Sequence, residues 1–299
     1  MLMSKRLRRS MLFVPGNNPA LIIDAAVFSP DSIILDLEDA VAVDQKDAAR
    51  ELVVRALQTL DFGNCELCVR INGRHTPFFA DDIRALVPAR PHVLRLAMVE
   101  SPEDIIYTDQ FIDHCEREAG LPSGSVKLMA SIETARGVTN AAKIAVSSPR
   151  LIAISFGAED FTHSIQSERT AQGQELLFAR SAVVLAARAA GIDPIDTVYS
   201  NIDDEPGFRA DVKAAKQLGF AGKSCVHPRQ VAIVHDVYRP TSDEVYKAER
   251  VLAAYADALQ KGTGVISVDG RMVDGPIVAK AQRIVDIARA AGSGRGVQV

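Results

Sequence analysis

Short apolar segments alternate with amphipathic ones along almost the whole chain. SMLFVP (10–15), SIILDL (32–37), LCVRIN (67–72), VLRLAMV (93–99), VKLMASI (126–132), LIAISF (151–156), IDTVYS (195–200) and GKSCVH (222–227) read as strands. Their apolarity is continuous rather than alternating, as expected of parallel strands covered on both faces. Each is followed by a segment of helical periodicity. Asn18-Pro19 and Ser101-Pro102 have the form of a helix N-cap with proline at the first helical position, and Asp104 falls in the first turn of the second. Gly120, Gly191 and Gly219 close helices shortly before the next strand. Repetition of this unit predicts a (β/α)8 TIM barrel over residues 1–239. A doubly wound open sheet is the alternative. It would usually carry a glycine-rich phosphate loop after its first strand, and PGNNP (15–19) is not one.

Beyond Arg239-Pro240 the pattern changes. Thr241 to Glu244 form a capping box opening a helix over roughly 241–261; GVISVDG (264–270) reads as a strand, and a last helix runs from about 276 to 291. Residues 240–299 are therefore a C-terminal extension, too short to bury a core alone and expected to pack on its own barrel or on a neighbouring subunit. The tail SGRGVQV (293–299) is expected to be disordered.

Composition narrows the function classes. The 299 residues are 47% hydrophobic and 24% charged, with a net charge of −4 and no tryptophan. Neither a clustered basic face nor an aromatic stacking platform is present, so nucleic-acid binding is not expected. The basic start MLMSKRLRRS is followed by only four apolar residues before Pro15, too few for a secretion signal, and no run approaches the length of a membrane span. A soluble, cytoplasmic protein without membrane partners is the expectation. Four cysteines (Cys65, Cys68, Cys115, Cys225) do not make a disulfide framework in a chain of this size, and CELC (65–68) has no second matched pair for zinc.

In a barrel of this kind the active site lies at the carboxyl ends of the strands. Those ends carry Asp36, Glu38 and Asp39 after the second strand, Arg70 and Asn72 at the third, Glu133 at the fifth, and Glu159 and Asp160 at the sixth; the opposite ends show no such set. So many acids in one basin repel one another unless a cation sits among them, and oxygen ligands without histidine or cysteine favour Mg2+. Glu133 and Asp160 are the expected direct ligands, with Asp36 and Glu38 holding metal-bound waters in a second shell. Arg70 is suited to grip a substrate carboxylate, a role that can coexist with an ion pair to Asp36 or Glu38. His227 suits either an acid/base or a cap.

Together RRSMLFVPG (8–16), ILDLEDAV (34–41), VRIN (69–72), SIETARGV (131–138), GAEDF (157–161), ERTAQGQELLFAR (168–180), DTVYS (196–200), QLGFAGKSCVHPRQ (217–230) and DGRMVDGP (269–276) resemble the citrate lyase β-subunit family, within the wider HpcH/HpaI-type group of malyl-, citramalyl- and related thioester lyases. The resemblance implies a Mg2+-dependent carbon–carbon lyase that cleaves a citryl thioester to oxaloacetate and an acetyl thioester. It implies Arg70 and Asp274 as catalytic residues, Arg70 and Glu133 as substrate contacts, and Glu133 and Asp160 as magnesium ligands. Asp274, on a C-terminal segment, would serve a neighbouring subunit's site, with a homotrimer as the assembly. Phe13, Asn17 and Asn18 are candidates to line a slot for the thioester arm. The implied partners are an acyl carrier protein subunit and a transferase subunit, or a coenzyme A thioester in their place. His227 stands where the family often has asparagine, and so has no implied role. The competing expectations are a stand-alone malyl- or citramalyl-CoA lyase or thioesterase, an aldolase for free keto acids, and a binding subunit without turnover.

Overall fold

The computed structural model describes residues 6–170, 172–260, 266–268 and 271–293. These fall in two compact units: one runs from Arg8 to Val237, and the other holds the residues from Tyr238 onward together with Arg6 and Leu7.

The first unit is a closed barrel of eight parallel strands: β1 (Ser10–Pro15), β2 (Ser32–Asp36), β3 (Glu66–Ile71), β4 (Val93–Leu96), β5 (Lys127–Ile132), β6 (Leu151–Phe156), β7 (Asp193–Asp196) and β8 (Gly222–Cys225). β1 pairs with both β2 and β8, which leaves no open edge. The helices are α1 (Pro19–Asp24), α2 (Lys46–Thr59), α3 (Phe79–Ala89), α4 (Pro102–Glu118), α5 (Ala135–Ala145), α6 (Ala158–Ser164), α7 (Gln174–Ala189), α8 (Glu205–Leu218) and α9 (Pro228–Tyr238). Their ends are chemically marked as the sequence suggests. The Asn18 side chain accepts the Leu21 N–H at the start of α1, Ser101 and Asp104 close a capping box on α4, and Gly219 ends α8 with a left-handed φ of 103°.

One residue from each of β1 to β7 (Met11, Ile34, Cys68, Val93, Met129, Ala153 and Ile195) meets in a single cluster, joined by Phe13, Ile152 and Ala221. A cluster drawn from seven of the eight strands is the barrel interior, so the middle of the cylinder is a packed apolar plug. All four cysteines are buried, where their thiols serve as small apolar packing groups.

Below that plug the structure departs from the sequence expectation. Polar residues also gather at the amino ends of the strands: Arg8 donates from Nε and Nη2 to Glu66, both at 2.7 Å, and from Nη1 to Asp193 at 2.9 Å, while Ser32 donates to Glu66 at 3.0 Å. Starting β3 at residue 67 and β7 at 195 hides Glu66 and Asp193, which are the true first residues. β7 starts two residues and ends four residues earlier than expected, and Thr197, just past its end, accepts the Ala158 N–H through its hydroxyl at 3.0 Å. β4 stops at Leu96, and Met98 adopts a left-handed φ of 54°.

In the second unit α10 (Ser242–Gln260) and α11 (Gly275–Ser293) pack through Ala248, Ala281 and Val285. The capping box holds, with Thr241 N–H to Glu244 at 2.8 Å and Glu244 N–H to the Thr241 hydroxyl at 3.2 Å. Two short strands, β9 (Ile266–Val268) and β10 (Arg271–Val273), pair antiparallel, where the sequence reading has a single strand. Residues 294–299, the bulk of the tail expected to be disordered, lie outside the described residues. No described helix is long and apolar enough to cross a membrane.

Candidate active site

At the carboxyl ends of the strands the plug gives way to a cavity of about 400 Å³, lined among others by Phe13, Asp36, Asp39, Arg70, Arg95, Glu133, Glu159 and Asp160. The strand register builds it: Asp36 on β2 pairs with Arg70 on β3, and Arg70 pairs with Arg95 on β4. Three charged side chains therefore stand in one row across neighbouring strands.

Arg70 is the most heavily engaged of them. Its Nε and Nη2 each donate to Asp36 at 2.6 Å, a two-point fork, and Nη1 lies 2.8 Å from Glu38 and 3.2 Å from Asp39. Burial works against the guanidinium charge, but the bonds to Asp36 outweigh it and raise its pKa. Asp36 is saturated too, since its oxygens also accept the Glu38 and Ala40 N–H groups at 3.0 and 3.2 Å. It is spent on orienting Arg70, and no lone pair is left for the second-shell water expected of it. The loop after β2 is pinned by Lys46, which donates to the carbonyls of Leu37 and Glu38 at 2.7 Å each. Gly16 passes so near that a Cβ would come within 2.6 Å of the Asp36 carbonyl, which its own N–H bonds at 2.8 Å.

Glu133 is positioned from two sides. The Met98 N–H, turned inward by that residue's left-handed backbone, donates to Oε2 at 2.9 Å. Gly157 backs onto the other oxygen, where an added Cβ would lie 2.6 Å from Oε1. Asp160 follows in the first turn of α6. Burial raises the pKa of Glu133, against the pull of Arg95, and Asp160 adds to the rise. Burial and then Asp39 raise that of Asp160. Burial lifts Glu38 to about 8 despite Arg70. In each of the three, burial is the largest cause of the rise, and a cation bound nearby would oppose it.

The donor set fits a hard divalent ion. Glu133 and Asp160 line one cavity, and no group of three or more histidine, cysteine, aspartate or glutamate side chains with metal-holding geometry occurs among the described residues. Two carboxylates with the other positions left to water and substrate oxygens suit Mg2+, whereas zinc would want nitrogen or sulfur.

Other expected residues are elsewhere. Phe13 is inside the barrel on β1, beneath both arginines, not on the loop. Asn17 does not line this cavity, because its amide donates to Gln45 at 2.6 Å; Asn18 is spent on capping α1. His227 accepts the Arg229 N–H through Nδ1 at 3.2 Å, a cap at the start of α9. Asp274 precedes α11, its carboxylate accepting the Ile277 N–H at 3.4 Å. Arg95 escapes a reading confined to strand tips. The signal for it is an arginine inside the apolar run VLRLAMV, a position that demands a reason.

Buried acids and arginines at the carboxyl ends of a closed parallel barrel place the protein among the (β/α)8 enzymes that act on small anionic substrates. Residues 9–228 match the family model described as HpcH/HpaI aldolase/citrate lyase. The citrate lyase subunit beta of Leuconostoc mesenteroides subsp. cremoris is 50% identical over 287 residues, spanning 96% of this chain and 95% of that protein. The mitochondrial citramalyl-CoA lyase of Rattus norvegicus is 34% identical over 293 residues, spanning 94% of this chain and 86% of that one. Among solved structures, protein CitE from Mycobacterium tuberculosis in complex with magnesium, acetoacetate and coenzyme A matches with a TM-score of 0.76 at 32% identity, over 96% of this chain and 98% of that one. The chain belongs to the HpcH/HpaI aldolase/citrate lyase family, and it is a carbon–carbon lyase.

Proposed function

We propose that the protein cleaves a citryl thioester to oxaloacetate and an acetyl thioester, with Mg2+ held by Glu133 and Asp160. The meeting of these two acids with Arg70 around one cavity carries this reading. Half of the 287 aligned positions are shared with a citrate lyase subunit beta, which supports the citryl substrate.

The bond that breaks joins the hydroxyl-bearing carbon to the CH2 beside the thioester. The hydroxyl gives up its proton and becomes a ketone, while the CH2 leaves as an enolate and takes a proton at carbon. Mg2+, when bound, supplies Lewis-acid stabilisation of the charge that develops on the hydroxyl oxygen. Arg70, locked by Asp36, fixes a substrate carboxylate and with it the scissile bond. Asp39 is the partner that carboxylate would displace, because its side chain is 65% exposed and such a pair is weak. Asp274, contributed by a neighbouring copy in a homotrimer, exchanges the proton with the enolate carbon. The thioester is carried by an acyl carrier protein subunit and loaded by a transferase subunit. Coenzyme A as carrier is the second reading, favoured by its presence in the M. tuberculosis structure.

The direct test assays the full chain with Mg2+ on citryl and citramalyl thioesters and follows keto-acid release. Oxaloacetate formed from the citryl ester is expected; turnover of citramalyl-CoA with none of the citryl ester would shift the assignment to the stand-alone lyase. A second outcome concerns Gly157. An alanine there forces the Glu133 carboxylate aside, and displacement of about 1 Å at a reacting centre costs on the order of 100-fold. Gly157→Ala should lower kcat by that order while circular dichroism stays native.

A further inference from the structure

Arg95 is only 2% exposed, yet it lines the cavity. Its one side-chain hydrogen bond among the described residues runs from Nε to the Ser131 hydroxyl at 2.7 Å, and its buried Nη1 has no hydrogen-bond partner there. The contrast with Arg70 is sharp. Both guanidinium groups lie over the ring of Phe13, at 4.9 Å for Arg70 and 5.0 Å for Arg95, but three carboxylates neutralise the first and none pairs with the second. A buried guanidinium left with donors to spare is costly unless something anionic completes it. Burial, the largest influence on Arg95, lowers its pKa, and the Glu133 carboxylate, next in weight, acts against that fall without forming an ion pair with it among the described residues.

We infer that Arg95 is a specificity-determining residue that takes a second substrate carboxylate, so that the site prefers keto acids with two carboxylates to those with one. The inference rests on the citryl reading above and extends it. A citryl thioester keeps two free carboxylates and releases the diacid oxaloacetate; a citramalyl thioester keeps one and releases the monoacid pyruvate. Arg70 holds the carboxylate common to both. Arg95, one strand further along the wall, holds the one that only the citryl substrate has, and Phe13 beneath the two sets their separation. Since Arg95 is fully buried, a substrate lacking that group leaves its donors unmet, and it is rejected on that account.

Calorimetric titration of the full chain, saturated with Mg2+, with oxaloacetate and separately with pyruvate tests this. Wild type should bind oxaloacetate roughly 10- to 100-fold more tightly, the range for a charged hydrogen bond. Arg95→Met should erase that preference by weakening oxaloacetate while leaving pyruvate unchanged, and Arg95→Lys should restore part of it. Equal binding of the two acids by wild type overturns the inference without recourse to any variant, as does an Arg95→Met protein that keeps the preference or weakens both acids alike. If neither acid binds in the presence of Mg2+, the citryl reading itself falls, and the inference with it.

Discussion

Replacing Asp160 with alanine is expected to abolish both Mg2+ binding and turnover. Asp160 and Glu133 come from successive strand–helix units and line the same cavity. If Glu133 and Asp160 hold the ion as proposed, loss of Asp160 removes half of its protein ligands and the more accessible half, since Asp160 lies at the exposed rim and Glu133 is 4% exposed. A Lewis acid contributes several kcal/mol to stabilising a developing alkoxide, which corresponds to at least about 1,000-fold in rate. The fold should survive, because Asp160 is exposed and makes no ion pair among the described residues, and its raised pKa means that its ionised form does not favour the folded state. Calorimetry with Mg2+ and a citryl thioester assay check both halves. Activity persisting in Asp160→Ala, or in wild type stripped by chelator, would remove the metal from the mechanism.

Asp274→Asn should give the second large effect, and a different one: turnover falls by about 100- to 10,000-fold, the usual contribution of a positioned acid/base, while Mg2+ affinity stays at the wild-type level. The substitution separates two roles. Asp274 caps α11 through its carboxylate on the Ile277 N–H, and asparagine caps a helix as well as aspartate does. Stability should therefore hold within a degree or two of Tm while the proton-transferring group is lost. Asp274→Ala, by contrast, would give up the cap as well, at about 1 kcal/mol. Parallel loss of Mg2+ affinity and turnover in Asp274→Asn would count against a proton-transfer role.

The parts of this protein legible from its sequence are those governed by local rules. Largely apolar runs mark β1 to β6, and caps such as Asn18, Ser101 and Thr241 mark helix starts, since each depends on residues within a few positions. Strand ends are less legible where polar residues take over from the ladder. Thr197, just past β7, accepts the Ala158 N–H, and the left-handed Met98 just past β4 serves Glu133, both bonds made between the ends of neighbouring strands and invisible along the chain. Glu66 and Asp193 belong to an ion-pair set closed by Arg8, 58 and 185 residues away in sequence. The acids of the mouth were readable because they cluster at strand tips. The inequality between Arg70 and Arg95 was not, because it lies in which carboxylates reach which guanidinium.

The most direct measurement is a crystal structure of the protein soaked with Mn2+ in place of Mg2+ and read by anomalous scattering. The expected result is a single peak at the barrel mouth within coordination distance, about 2.2 Å, of both the Glu133 and Asp160 carboxylates. A peak elsewhere, or one touching only one of them, would contradict the shared-cation site on which the lyase mechanism is built.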